Sequence, residues 1–209
     1  LLYRLGHAVD AHDVVIRLNA GPTAGFEEHV GTRTTYRLVN RLHMGFREGN
    51  EVVLQHVSTA ESLAQFLKGA GNALINRRYI IDMSFHEWAY NFTDKGVLSN
   101  GFYAVLLASQ ICRDVTLFGF LRNWRGNARY HYYNPEEPDG TQSSRDRKEE
   151  ERLTAFLDDL GPRARMGEPC LDAGPCVHCP PGGRCEAGAW HPVPAEGHCY
   201  RALHPRGRG

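Results

Sequence analysis

The chain has 209 residues, which suits one domain of ordinary size plus a small appendage. Its 24 basic and 24 acidic side chains cancel, so the charge balance indicates neither a nucleic-acid-binding nor a membrane-surface protein. Apolar residues make up 42% of the chain, enough for a buried core, but no run reaches the roughly 18 residues of a membrane-spanning helix. Because the chain starts at Leu1 without Met, we expect a piece of a longer protein with any membrane anchor upstream.

Composition divides the chain near Leu160. Residues 1–160 alternate short apolar runs with helical patterns, whereas residues 161–209 hold eight of the eleven prolines and five of the six cysteines. We therefore predict a larger domain over 1–160 and a small Pro-, Gly- and Cys-rich module over 161–209.

In residues 1–160, short β-branched runs predict strands, and apolar positions at helical spacing predict helices. In chain order the predicted elements are a strand at 13–18, a strand at 52–54, a helix at 62–67 that ends at Gly69, a strand at 79–81, a helix at 101–112 capped by Ser99 and Asn100, and a strand at 115–118. Strands interleaved with helices predict an α/β fold with a mostly parallel sheet sandwiched by helices. Ligands of such sheets bind at the carboxyl ends of strands and beside helix N-termini.

Asn19 stands at the end of the first predicted strand, before the turn Ala20-Gly21-Pro22. An amide in that position can donate to a phosphate or ribose oxygen and accept from a base or a hydroxyl. A purely local role, in which Arg17 and Asn19 satisfy the loop, fits the same spacing. The position therefore makes Asn19 a candidate for ligand binding without excluding the local role.

A second candidate lies at the start of the predicted helix 101–112, where Ser99, Asn100 and Gly101 gather unpaired backbone N–H groups. Such a helix start favours an anion, for example a sugar carboxylate or a phosphate. An ordinary capped helix is the plainer interpretation of the same residues.

A third candidate is His131, which lies in the run Tyr130-His131-Tyr132-Tyr133. A histidine in this setting can titrate near neutral pH and donate to a departing phosphate. A histidine packed in an aromatic cluster has the same sequence pattern. The charged segment 143–150 follows, and its alternating signs are also typical of a solvated helix start.

These stretches together resemble glycosyltransferase family 29, the eukaryotic-type sialyltransferases. Residues 9–22 are similar to the large sialyl motif, with Val9 in place of Ile and Gly21 in place of Ala. Residues 98–120 are similar to the small sialyl motif, with Asn100 where Ser or Thr is usual, and residues 130–133 resemble the third motif. The resemblance implies a Rossmann-like variant of the GT-A type over residues 1–160.

The resemblance also implies a reaction and its partners. Sialic acid would pass with inversion from CMP-sialic acid to a glycan hydroxyl on a glycoprotein or glycolipid. No metal or other cofactor would take part, and no Asp-x-Asp signature occurs in residues 1–160. The implied location is the Golgi lumen, as part of a type II membrane protein. CMP-linked relatives of sialic acid such as Kdo are alternative donors.

The resemblance assigns a role to each candidate residue. Donor binding falls to Asn19, Ser99, Asn100, Gly101 and Tyr132. His131 would stabilise the leaving CMP phosphate, and Glu150 would match the Glu of the fourth, very small motif.

Arg145 departs from the family pattern. In the best register with the very small motif, Arg145 occupies the position of the catalytic base, a role that a permanently protonated guanidinium cannot fill. The alternative hypothesis is therefore a non-catalytic member that binds the nucleotide sugar or acts as an interaction protein of the secretory pathway.

The cysteines of the tail predict a disulfide-stapled module, in keeping with a lumenal location. The candidates are Cys170, Cys176, Cys179, Cys185 and Cys199. A zinc site is the rival interpretation, formed by Cys176, Cys179, Cys185 and one of His178, His191 and His198. The resemblance implies that Cys112 has no partner, because the cysteine of the large motif is absent.

Overall fold

A computed structural model describes residues 4–69, 77–93, 98–120, 131–134 and 140–166. These residues fall into two compact units. The sheet unit consists of Val14–Pro22 and Thr34–Leu107. The terminal unit consists of the described residues up to Asp13, of Thr23–Arg33, and of those from Ala108 onward.

Six strands and six α-helices make up the regular structure of the described residues. The strands are β1 (Ile16–Leu18), β2 (Tyr36–Val39), β3 (Val52–Gln55), β4 (Arg78–Ile80), β5 (Val115–Leu117) and β6 (Ala164–Met166). The helices are α1 (Gly6–Asp10), α2 (Glu27–Val30), α3 (Ala60–Lys68), α4 (Met83–Tyr90), α5 (Asn100–Ile111) and α6 (Gly140–Leu160). Short 3-10 turns occur at Arg41–His43 and Gly161–Arg163.

The sheet unit contains a four-stranded sheet in the order β1-β2-β3-β4, with every neighbouring pair parallel. The two middle strands are buried along their whole length, and Leu38, Val39 and Val53 have no exposed surface. Burial on both faces is typical of parallel sheets flanked by helices. The predicted α/β fold and its parallel sheet are therefore confirmed.

The predicted strands are found at β1, β3, β4 and β5, each within a few residues of its expected bounds. β2 is not predicted from the sequence, because Arg37 interrupts its apolar run. The guanidinium of Arg37 is nevertheless fully buried at the centre of the sheet unit. The helix α4 is not predicted from the sequence either. It begins after Asp82, and the Asp82 carboxylate accepts from the backbone N–H of Ser84.

Two further helices of the sheet unit, α3 and α5, also begin at side-chain caps. Thr59 and Ser62 form a reciprocal capping box at the start of α3, which ends at Gly69 as predicted. Ser99 caps α5, because its hydroxyl oxygen accepts from the backbone N–H of Phe102 at 3.1 Å. Asn100 is already the first residue of α5, so only Ser99 is the cap.

In the terminal unit, α1 and α2 pack closely because Gly6 has no side chain. A Cβ atom at Gly6 would collide with the backbone oxygens of Glu27 and Glu28. The Asp10 carboxylate accepts from the backbone N–H groups of Thr32 and Arg33, at 2.8 Å each for the shorter contacts. These bonds fix the segment that leads out of α2.

The end of the terminal unit holds a second sheet, in which β5 and β6 pair in parallel. The Arg163 guanidinium donates to the carbonyl oxygens of Ser109, Cys112 and Arg113 at 3.0 to 3.2 Å. These bonds satisfy carbonyl groups that the end of α5 leaves without helical partners.

The predicted module of residues 161–209 lies almost entirely outside the described residues, as do its five cysteines. Its boundary and its disulfides stay predictions. Cys112 is disulfide-bonded, so the expectation that it has no partner is wrong. Its partner cysteine lies outside the described residues. Within the described ranges, no helix is long and apolar enough to cross a membrane.

Candidate functional site

Asn19 lies at the carboxyl end of β1 with a left-handed backbone, at φ 49°. Asparagine tolerates this conformation better than most residues, which allows the chain to turn directly after the strand. The backbone N–H of Asn19 donates to the Leu38 carbonyl at 2.8 Å, and its side-chain Oδ1 accepts from the backbone N–H of Asn40 at 3.1 Å. Asn40 directly follows β2, so Asn19 joins the ends of two neighbouring strands.

Asn100, in the first turn of α5, brings the second sequence candidate to the same place. Its Nδ2 donates to Oδ1 of Asn19 at 2.7 Å. Its Oδ1 lies 3.0 Å from Nδ1 of His56, and only 9% of the Asn100 surface is exposed. The structure therefore joins Asn19 and Asn100, which are 81 positions apart in the sequence, in one hydrogen-bonded pair.

One backbone group fixes the direction of every bond in this network. The N–H of Asn40 can only donate, so the atom it contacts must be the amide oxygen of Asn19. Asn100 must then donate with Nδ2, and its oxygen must accept a hydrogen bond from the Nδ1–H group of His56. Among the described residues, no group accepts from Nδ2 of Asn19. That N–H group is available to a ligand at the edge of the sheet.

The first turn of α5 supplies further donors beside Asn100. A helix leaves its first N–H groups without helical partners and carries a partial positive charge at this end. Ser99 accepts from the N–H of Phe102, while Gly101 lies in the same turn and adds no side chain of its own. The N–H of Gly101 is therefore one of the groups that this helix start offers to an anion.

Arg37 holds the turn that carries Asn19, a role that the sequence does not predict. Its Nη1 donates to the carbonyl oxygens of Asn19 and Gly21, both at 3.0 Å. Its remaining nitrogens donate to Glu51 at 2.9 Å and to Glu48 at 2.7 Å. A charged residue inside an apolar strand is the sequence signal that could have indicated a buried ion pair.

His56 and His86 form a buried aromatic cluster with Tyr103 behind the amide pair. The His56 ring is stacked on Tyr103 at 4.0 Å and lies 5.3 Å from the His86 ring. Burial and the neighbouring His86 lower the pKa of His56, although the hydrogen bond to Asn100 opposes them. Burial likewise lowers the pKa of His86. Both rings are therefore held neutral.

These shifts predict a loss of stability in mild acid. An unfolded histidine binds its proton near pH 6.5, whereas folded His56 and His86 bind theirs only at lower pH. Below about pH 6.5 the unfolded chain thus binds more protons, and the free energy of unfolding falls as the pH decreases. We expect denaturant titrations between pH 7.5 and 5 to give this slope, and His56→Phe to flatten it. The same substitution at exposed His7 is the control, and an equal effect there would contradict the assignment.

The third candidate lies in the terminal unit. His131 is stacked on Tyr133 at 5.0 Å, and Tyr132 meets Phe26 edge to face at 5.1 Å. Arg145 and Glu150 both lie on α6, but their side chains are outside the described part of the structure. The roles predicted for His131, Tyr132 and Glu150 stay predictions.

Among the described residues, no cluster of three His, Cys, Asp or Glu side chains could hold a metal ion. The sheet-edge donors are amide and backbone N–H groups, which are suited to phosphate or carboxylate oxygens.

Solved structures of other proteins have the same architecture as this chain. Two crystal structures of a mammalian sialyltransferase, one in complex with Gal-beta-1-3GalNAc-ortho-nitrophenol, share the fold. Their TM-scores are 0.60 for the complex and 0.62 for the other, at 20% and 23% sequence identity. Each comparison covers 78% of this chain and 63% of the other.

Curated relatives are also sialyltransferases. The human CMP-N-acetylneuraminate-beta-galactosamide-alpha-2,3-sialyltransferase 1 is 30% identical over 154 residues, covering 61% of this chain and 42% of that protein. The rat lactosylceramide alpha-2,3-sialyltransferase is 29% identical over 153 residues, covering 56% and 40%. The chain thus spans less than half the length of these relatives. The model of glycosyltransferase family 29 (sialyltransferase) matches residues 3–51 and 42–161, which together make up most of the chain. The chain belongs to glycosyltransferase family 29, as the motifs of its sequence predict.

Proposed function

We propose that the chain is the catalytic part of a glycosyltransferase that takes sialic acid from CMP-sialic acid. The observation that carries this proposal is the Asn19–Asn100 pair, joined at 2.7 Å where β1 ends and α5 begins. Nδ2 of Asn19 and the N–H groups of the first turn of α5 are donors suited to the phosphate and carboxylate oxygens of such a donor sugar. Ser99 and Gly101 complete this proposed binding site for the CMP-sugar. Resemblance to the third motif adds Tyr132 as a further proposed contact to the CMP-sugar.

In the proposed reaction, a hydroxyl oxygen of the glycan acceptor attacks the anomeric carbon of the donor sugar. The bond from that carbon to the phosphate oxygen breaks, and CMP leaves with the electron pair. Attack from the face opposite the leaving group inverts the configuration. His131 donates a proton or a hydrogen bond to the departing phosphate, and the acceptor proton passes to a base that the motifs leave unassigned. Glu150 is the further motif residue proposed to act at this centre.

The direct test is the release of CMP from CMP-sialic acid, with and without a galactose-terminated acceptor. Acceptor-dependent release by the chain is the result we expect. Release that does not depend on the acceptor would indicate hydrolysis and would contradict the transfer. If the chain binds CMP but releases none from CMP-sialic acid, CMP-Kdo is the next donor to try.

A second candidate function follows from Arg145, which lies on α6 at the predicted position of the catalytic base. On this proposal the chain binds the nucleotide sugar without transferring it, or serves as an interaction protein of the secretory pathway. Arg145→His should then confer acceptor-dependent release on a parent chain that has none. A parent chain with transfer activity would exclude this alternative.

We propose the Golgi lumen as the place of action, in a type II membrane protein, and a division into a catalytic domain over 1–160 and a disulfide-rich module over 161–209. Family membership supports the location and the catalytic domain. The cysteine-rich composition supports the disulfide-rich module.

A further inference from the structure

We propose that His56 is a positioning residue of the donor site, which acts through Asn100 on Asn19. Its Nδ1–H holds the Asn100 amide, and that amide holds the oxygen of Asn19 so that Nδ2 of Asn19 faces the ligand. The inference rests on the proposed function, because it assumes that the amide pair binds the CMP donor.

The position of His56 is fixed on several sides. Its backbone N–H donates to the Val39 carbonyl at 2.8 Å, which continues the pairing of β3 with β2. The residue is 6% exposed, and its ring lies nearly parallel to the Tyr103 ring, at an angle of 18°. Tyr103 belongs to α5, as does Asn100, so the ring is stacked on the helix whose first residue it bonds. The imidazole is therefore a rigid hydrogen-bond donor to Asn100.

Among the described residues, the only hydrogen bond of the His56 ring is the one to Asn100. Its other nitrogen, Nε2, is buried without a hydrogen-bond partner among the described residues. A histidine kept only for packing could be replaced by an apolar ring at no cost to the amide pair. Without the Nδ1–H group, however, Oδ1 of Asn100 would be buried and unsatisfied, and the amide would turn toward any other donor.

The link also accounts for Asn100, which stands where Ser or Thr is usual in the small sialyl motif. An amide carries an acceptor and a donor on two different atoms, so it can accept from His56 while it donates to Asn19. His56 and Asn100 thus form a coupled pair in this chain.

Calorimetric titration of the full chain with CMP tests the inference. We expect His56→Phe, which keeps the stacking on Tyr103, to weaken CMP binding about five- to tenfold, the equivalent of one lost hydrogen bond. His56→Asn places an amide N–H near the position of Nδ1 and should restore binding to within about twofold of the parent. The matched control is His86→Phe, in the same cluster, because within the described part of the chain no hydrogen bond joins the His86 ring to the amide pair.

A double-mutant cycle distinguishes action through Asn100 from general loosening. In an Asn100→Thr background the link is already broken, so His56→Phe should weaken CMP binding less than about twofold further. Additive losses would contradict the coupling. Thermal unfolding accompanies each titration, and if His56→Phe does not fold, His56→Asn is compared with His56→Leu, which has a similar size and no donor. Equal CMP affinity of those two variants would overturn the inference.

Two failures are distinguishable. A parent chain that binds no CMP overturns the proposed function and this inference with it. A parent chain that binds CMP, with an affinity that His56→Phe leaves unchanged, overturns only the role of His56.

Discussion

Replacing Arg37 by Met should lower the free energy of unfolding by about 3–5 kcal/mol, the usual cost of breaking a buried ion pair from one side. The Arg37 side chain has no exposed surface, and that of Glu51 is 2% exposed. Loss of the Arg37 guanidinium leaves the Glu51 carboxylate buried without its cation. It also removes the donors to the carbonyls of Asn19 and Gly21. Denaturant unfolding followed by circular dichroism measures the effect.

The ionised state of Glu51 makes this loss large. Burial alone would raise the pKa of Glu51, but hydrogen bonds from the Glu48 backbone N–H, the Arg37 guanidinium and the Gly49 backbone N–H lower it overall. Glu51 therefore remains charged at neutral pH and needs the cation beside it. Lys in place of Arg37 should recover little, because one ammonium group cannot reach the two carboxylates and the two carbonyls together.

Arg41 offers a matched control for Arg37. It pairs with Glu61 at 3.3 Å, and the two side chains are 47% and 68% exposed. Since exposed pairs contribute little, Arg41→Met should change the free energy of unfolding by no more than about 0.5 kcal/mol. Similar losses for the two substitutions would contradict the assignment of Arg37 as the buried centre of this unit.

Replacing His131 by Ala should lower kcat about 10²- to 10⁴-fold, the range for loss of a general acid. The expectation rests on the proposed function, in which His131 assists the departure of the CMP phosphate. Because that assistance develops in the transition state, the KM for CMP-sialic acid should change far less than kcat. Initial rates of acceptor-dependent CMP release at several donor concentrations separate the two constants.

His7 is the control for His131, because it is an exposed histidine on α1 of the same unit. His7→Ala should leave both constants unchanged. If His131→Ala raised KM and left kcat intact, His131 would be a residue that binds the donor and not one that assists the leaving group.

The sequence predicted those parts of the fold that local patterns specify. β3 and α5 are apolar runs with clear ends, and Ser99 has the chemistry of a helix cap. β2 was missed because its central residue is Arg37, whose burial depends on Glu48 and Glu51 beyond the strand. No local pattern reports a charge that is neutralised by residues more than ten positions away.

The candidate site, too, could be predicted only in part from local sequence patterns. Asn19, Asn100 and Gly101 could be named from strand-end and helix-start chemistry, together with the family motifs. That Asn100 donates to Asn19 and accepts from His56 depends on the packing of α5 against the sheet edge. His56 follows β3 outside every motif, so its role could be inferred only from the structure.

Calorimetric titration of the full chain with CMP tests the central claim most directly, because the claim is that the amide pair at the end of β1 binds the phosphate of the CMP donor. The account predicts CMP binding that is weakened about tenfold by Asn19→Ala and unchanged by Asn50→Ala at an exposed loop position. No CMP binding by the parent chain, or CMP binding that Asn19→Ala leaves intact, would contradict it.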